Sequence, residues 1–94
     1  MVVGVVRLRL SIAGAASLKD KRRCLRSLKD RLRNMNLAVA EVADQEKWQL
    51  ASLGLAVVSN DSAKVNAMLD QVSGLLAQYP ELELLETEME IIQL

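Results

Sequence analysis

LELLETEMEIIQL, residues 82–94, sets Leu85, Met89 and Ile91 against Glu86, Glu88 and Glu90 in alternation. A period of two describes a strand with one apolar and one polar face. Working back from it, Pro80 stops a run in which Val65, Met68, Leu69, Val72, Leu75 and Leu76 recur at helical spacing, opened by the cap chemistry of Ser59, Asn60 and Asp61. Before that helix, WQLASLGLAVV (48–58) and LAVAEVAD (37–44) read as two strands around a polar tip, with Gly54 marking a bulge or a close approach. A helix precedes them. Ser17 is its expected N-cap with Asp20 at capping-box spacing, and Asn34 and Asn36 end it. The chain opens on VVGVVRLRLSI (2–12), with Val6, Leu8, Leu10 and Ile12 on one face and Arg7, Arg9 and Ser11 on the other.

The order is therefore βαββαβ. Two interleaved right-handed crossovers convert it into a ferredoxin-like α+β sandwich, one domain over residues 1–94, with an antiparallel sheet ordered 4-1-3-2 and both helices on one face. Strand one then lies beside strand four, which predicts Arg7 and Arg9 across from Glu86, Glu88 and Glu90. That pairing accounts for the three carboxylates more simply than a bound hard cation does.

Composition removes several functions. With no histidine and one cysteine among 94 residues, the usual zinc sites and the histidine-based nucleophilic pairs are absent. Trp48 and Tyr79 are the only aromatics, too few for a sheet on which bases stack. No stretch is apolar enough for a membrane span and no signal peptide is legible, so a cytoplasmic protein without membrane partner, metal or cofactor is expected.

Charge is the informative feature. Twelve basic and twelve acidic residues sum to zero, yet residues 1–33 hold ten of the basic and two of the acidic ones. The stretch SLKDKRRCLRSLKDRLR (17–33) concentrates them. Leu18, Leu25, Leu28 and Leu32 fall within an arc roughly 80° wide that faces the core, with Cys24 at its margin as a small core hydrophobe. Directly beside it, Arg22, Arg26, Lys29 and Arg33 form a stripe about 17 Å long, widened by Lys19 and Arg23. Such a stripe suits a nucleic-acid backbone, whose phosphates release counterions when neutralised.

Two smaller features stand beside it. Lys21 points into the apolar arc, where it either snorkels past the core or joins Ser17 and Lys19 in holding an anion at the helix N-terminus. Trp48 has the parity of Leu50 and Val58; with Val3 and Val5 these residues predict an apolar patch on the open sheet face, suited to a protein partner or a second copy.

The pieces GVVRLRLSIAGAASLKDKRRCLRSLKDRLR (4–33) and VAEVADQEKWQLASLGLAVVSND (39–61) resemble the small bacterial YlxP-like proteins over nearly the whole chain. Ser17, Leu18, Lys19, Lys21, Arg22 and Arg23, Val39 to Val42, Trp48 and Gln49, and Val58 to Asp61 carry the likeness together. It implies the ferredoxin-like fold and, through gene neighbourhood, an RNA- or ribosome-associated role without catalytic residues to carry over. Members often have an acidic residue and a histidine in the hairpin before the tryptophan, where this chain has Ala43, Asp44, Gln45 and Glu46. The expected function is a non-enzymatic protein binding RNA or a ribonucleoprotein through the helix-one stripe. The alternatives are a homo-oligomeric or protein-binding module using the open sheet face, and a phosphate-handling enzyme at the helix-one N-terminus. The last lacks the arginine that acylphosphatases of this fold carry in the first strand–helix loop.

Overall fold

The computed structural model describes residues 1–94, in the order β1 (Val2–Ile12), α1 (Leu18–Asn34), β2 (Ala38–Ala43), β3 (Leu50–Ser59), α2 (Ser62–Leu76) and β4 (Leu82–Gln93). All strand pairs are antiparallel and the sheet runs β2-β3-β1-β4, the expected order counted from the other edge. The fold is ferredoxin-like. None of its helices is long and apolar enough to cross a membrane.

Alternation along the strands decides which face meets the helices. Val6, Leu8, Leu10 and Ile12 of β1 and Ala51, Leu53, Leu55 and Val57 of β3 are buried against Leu25, Leu28 and Leu32 of α1 and Val65, Leu69, Val72 and Leu75 of α2. Val3, Val5, Arg7 and Arg9 turn to the opposite, open face. Gly4 lies under α2, where a Cβ would run into Val65 and sit 3.2 Å from Leu69 and 3.3 Å from Val57.

The helix ends obey local chemistry. Ser17 accepts a hydrogen bond from the Asp20 amide at 3.1 Å, while the Asp20 carboxylate, one methylene shorter than glutamate, accepts from Ala16 at 3.1 Å. At the other end Asn36 takes φ +63°, and the Asn36 and Leu37 amides return to the Arg33 and Leu32 carbonyls. This is a Schellman closure with asparagine in the left-handed position and Leu37 buried as Leu32 is. For α2 the Asp61 carboxylate caps Ala63 at 2.8 Å.

Register confirms one expectation and corrects two. Arg7 lies opposite Glu88 and Arg9 opposite Glu86. Leu85, expected to share a side with Met89 and Ile91, is instead the extra residue of a register shift, since Arg9 pairs with Glu86 and Leu10 with Leu84. Trp48 is not part of the third strand, which begins at Leu50. Gly54 marks a close approach: the Val42 side chain of β2 lies over it, 2.9 Å from where a Cβ would stand.

Candidate nucleic-acid interface and neighbouring sites

The capping at Ser17 and the leucine spacing fix the rotation of α1, and that rotation brings Arg22, Arg26, Lys29 and Arg33 to the outer side of β2. With Leu18, Lys21, Leu25, Glu41 and Gln45 they line a groove of about 430 Å³. Lys19, Arg22, Arg23, Arg26 and Lys29 have no carboxylate within 4.0 Å, and Arg33 reaches only the exposed Asp30 at 3.7 Å. Arg23 departs from the stripe and lines a separate depression with Asp20, Cys24, Tyr79 and Glu81. Arg31 is committed elsewhere: it stacks over the Tyr79 ring at 5.6 Å and donates to Gln78 at 2.6 Å, while Tyr79 and Ser27 share a 2.9 Å hydroxyl contact. Arg22, Arg26 and Lys29 thus stand unpaired together on one flank.

The trio expected to hold an anion does not assemble. Lys21 is 1% exposed; its ammonium donates to the Asp44 carbonyl at 2.6 Å and pairs with Glu41 at 3.0 Å. Ser17 is occupied by the Asp20 amide, and the Asp20 carboxylate already sits at the helix N-terminus. The lysine within the apolar arc is a core-spanning tie between α1 and the β2–β3 hairpin.

That hairpin turns on Asp44, at φ +62°. Its carboxylate accepts from Ser52 at 2.7 Å and pairs with Lys47 at 3.1 Å and Arg9 at 3.7 Å. The Ser52 hydrogen bond first, and then Lys47, hold the carboxyl below its ordinary value. Arg9 therefore closes on Asp44, not on the glutamate across the ladder. Sequence reading missed this junction, although four charged or polar residues at 44–47 between two strands were its available signal.

On the open face the expected residues separate. Val3 and Val58 lie side by side at one end, Val5 pairs with Ala56 in the middle, and Leu50 pairs with Ser11 at the other end, next to Trp48. Trp48 is 53% exposed and lies outside the central depression. That depression, about 650 Å³, is floored by Ala38, Ala40, Gly54 and Ala56 and rimmed by Val5, Val42, Arg7, Glu88 and Glu90. Glu86, Glu88 and Glu90 do not converge with further ligands into a metal-binding group.

Cys24 is half-buried and donates to Glu81 at 3.6 Å. Burial, then the Glu81 charge, push the thiol up from 9.0 to about 11, so the basic helix does not activate it. At pH 8 its thiolate population should be about 100-fold below that of the unfolded chain. Iodoacetamide is expected to label the native protein slower by that factor than the urea-unfolded protein, and equal rates would contradict the burial.

The sequence model of a family described as "Protein of unknown function (DUF503)" matches residues 3–89. The chain belongs to this family. A relative in DUF503 terms is the "Uncharacterized protein YlxP" of Bacillus subtilis (strain 168), 31% identical over 83 residues that span 87% of this chain and 90% of the relative. Among solved structures, the de novo designed protein Foldit4 is similar with a TM-score of 0.55 at 10% identity, covering 98% of this chain and 96% of its own. A dimeric ferredoxin-like protein from an uncultured marine organism has a TM-score of 0.54 at 8% identity, covering 100% and 98%. These two likenesses show the fold that this DUF503 member adopts.

Proposed function

We propose that this is a non-catalytic, cytoplasmic protein that binds RNA, alone or within a ribonucleoprotein, through Arg22, Arg26, Lys29 and Arg33, with Lys19 assisting. The observation that carries the reading is the absence of any carboxylate within 4.0 Å of Arg22, Arg26 and Lys29 along a groove flank, and of Lys19 in the first turn of the same helix. An array of lysines and arginines serving only solubility is commonly laced with acids three or four positions away, whereas here Asp30 reaches Arg33 alone. The shallow groove follows a backbone and offers no stacked aromatic, so recognition rests on charge and shape. Fluorescence anisotropy of a labelled single-stranded RNA and a labelled hairpin RNA tests it. Four phosphate contacts give a log-log salt slope of about −3 on the single strand, and the combined Arg22→Glu, Arg26→Glu, Lys29→Glu variant should lose more than about 100-fold in affinity while remaining folded. No binding to either RNA at low salt returns the stripe to a solvated helix face.

A second reading, self-association, is favoured by the apolar residues left open on the sheet: Val42, 49% exposed, rims a depression floored by alanine and glycine, and Val58, 62% exposed, lies at one end of the same face.

A further inference from the structure

The two sheet edges differ in kind. β4 is a twelve-residue edge with two unlike faces: Glu86, Glu88 and Glu90 on the open side, and Leu84, Thr87, Met89 and Ile91 on the helix side. The helix layer stops short of it, leaving Met89 55% and Leu84 43% exposed. β2, the opposite edge, separates two surfaces of the converse character. On its helix side stand the unpaired cations of α1; on its open side Ala38, Ala40 and Val42 are exposed. A long edge carrying exposed apolar residues is a template for pairing unless something blocks it.

We propose that β4 of one copy pairs with the β2 edge of a second copy, turned over so that Glu86, Glu88 and Glu90 lie along the partner's Arg22, Arg26 and Lys29. The turned-over orientation matches both surfaces at once: the glutamates reach the cations, and Met89 and Leu84 cover Ala40 and Val42 on the other side. In the unturned orientation the glutamates would lie on exposed alanine and valine, away from every cation of α1. An antiparallel β4–β4 pair sets the two glutamate rows side by side on one face, and a parallel one leaves each row beside the partner's apolar side, so neither brings the glutamates to a cation of α1. The net charge of zero leaves no overall repulsion between copies.

The contact is heterologous: each copy offers one acidic and one basic edge, so assembly continues past the dimer unless it closes into a ring. It also sets self-association against RNA, since both use the α1 cations. The inference rests on the self-association reading and gives it a geometry.

Sedimentation velocity without RNA tests it across a wide range of protein concentration, at about 0.05 M and about 0.5 M salt. Species larger than a dimer are expected at low salt and should be lost at high salt. The decisive measurement mixes two charge-reversed chains, one with Glu86→Lys, Glu88→Lys and Glu90→Lys, the other with Arg22→Glu, Arg26→Glu and Lys29→Glu. Each alone should stay monomeric, and the mixture should recover species larger than a dimer, because the intact acidic edge meets the intact basic edge and the reversed lysine row meets the reversed glutamate row. A mixture that stays monomeric, although circular dichroism shows both chains folded, overturns the geometry. So does a wild-type dimer that stops at two and survives the glutamate reversal, which leaves self-association through the open face standing. A wild-type chain monomeric at every concentration overturns both the geometry and the self-association reading.

Discussion

Lys21→Ala should destabilise the domain by about 3–5 kcal/mol, the cost of breaking a buried ion pair from one side. Lys21 is almost fully buried and its ammonium serves the Asp44 carbonyl and Glu41. The Glu41 Oε2 atom is shielded from water and has no aligned hydrogen bond; the ammonium at 3.0 Å is its only compensation. Removing the lysine leaves that carboxylate and a hairpin carbonyl without partners and opens space beside Leu18 and Leu25. Against a total stability of about 5–15 kcal/mol for a domain, such a loss is a large share. Urea denaturation of the two proteins measures it directly. Lys21→Met with Glu41→Gln removes the stranded charge and keeps the volume, so it should recover much of the difference. A loss under about 1 kcal/mol in the single variant would show an ammonium that is solvated and therefore available to ligands.

Gly4→Val should cost about 3 kcal/mol, although valine is among the best strand residues and glycine among the poorest. Strand propensity spans only about 1 kcal/mol, and the clash outweighs it. The first added carbon already meets Val65, itself fully buried, with Leu69 and Val57 close behind. The displaced atoms belong to the α2–β1 seam, so α2 must lift from the sheet. At about 4–8 °C per kcal/mol, the melting temperature should fall by more than about 10 °C, measured by circular dichroism. An unchanged or raised melting temperature would mean that α2 sits farther from β1 in solution. Gly4→Ala probes the same seam and should lose less.

Most of the fold was legible because local and periodic signals agreed. The caps at Ser17 and Asp61, the leucines of α1 and the alternation of β1 all point to the same elements. That Arg7 and Arg9 lie across from the row of Glu86, Glu88 and Glu90 followed from topology, while the register that sets Arg7 against Glu88 and Arg9 against Glu86 did not. What resisted reading was set by contacts between distant segments. The requirement for glycine at position 4 comes from Val65, sixty-one residues away, and the parity of Leu85 fails at a bulge that no composition marks. Trp48 carried the right parity for β3, yet the strand starts after it, where Gln49 accepts the Ile12 amide through its carbonyl and turns its side chain to Ala15. For the candidate interface, the direction of Lys21 into the apolar arc was visible, but whether its ammonium met an anion or a carboxylate depended on Glu41 and Asp44 in the hairpin. The stripe itself was legible because a helix repeats its own geometry. Its one outlier, Arg23, lies farthest around the helix.

The sheet's connectivity also governs when the domain is able to form. β1 is an interior strand, flanked by β3 and β4, and its outer neighbour is the last to be made: Val2 pairs with Gln93. Closing that contact requires the most distant parts of the sheet to meet, a loop closure that slows folding relative to domains built from local contacts. During synthesis at about 5–20 residues per second, β1 waits seconds for both its neighbours, with Val3, Val5 and Val6 unshielded meanwhile. The strand whose alternation completes the architecture is thus also the one whose arrival ends the chain's exposure to misassembly.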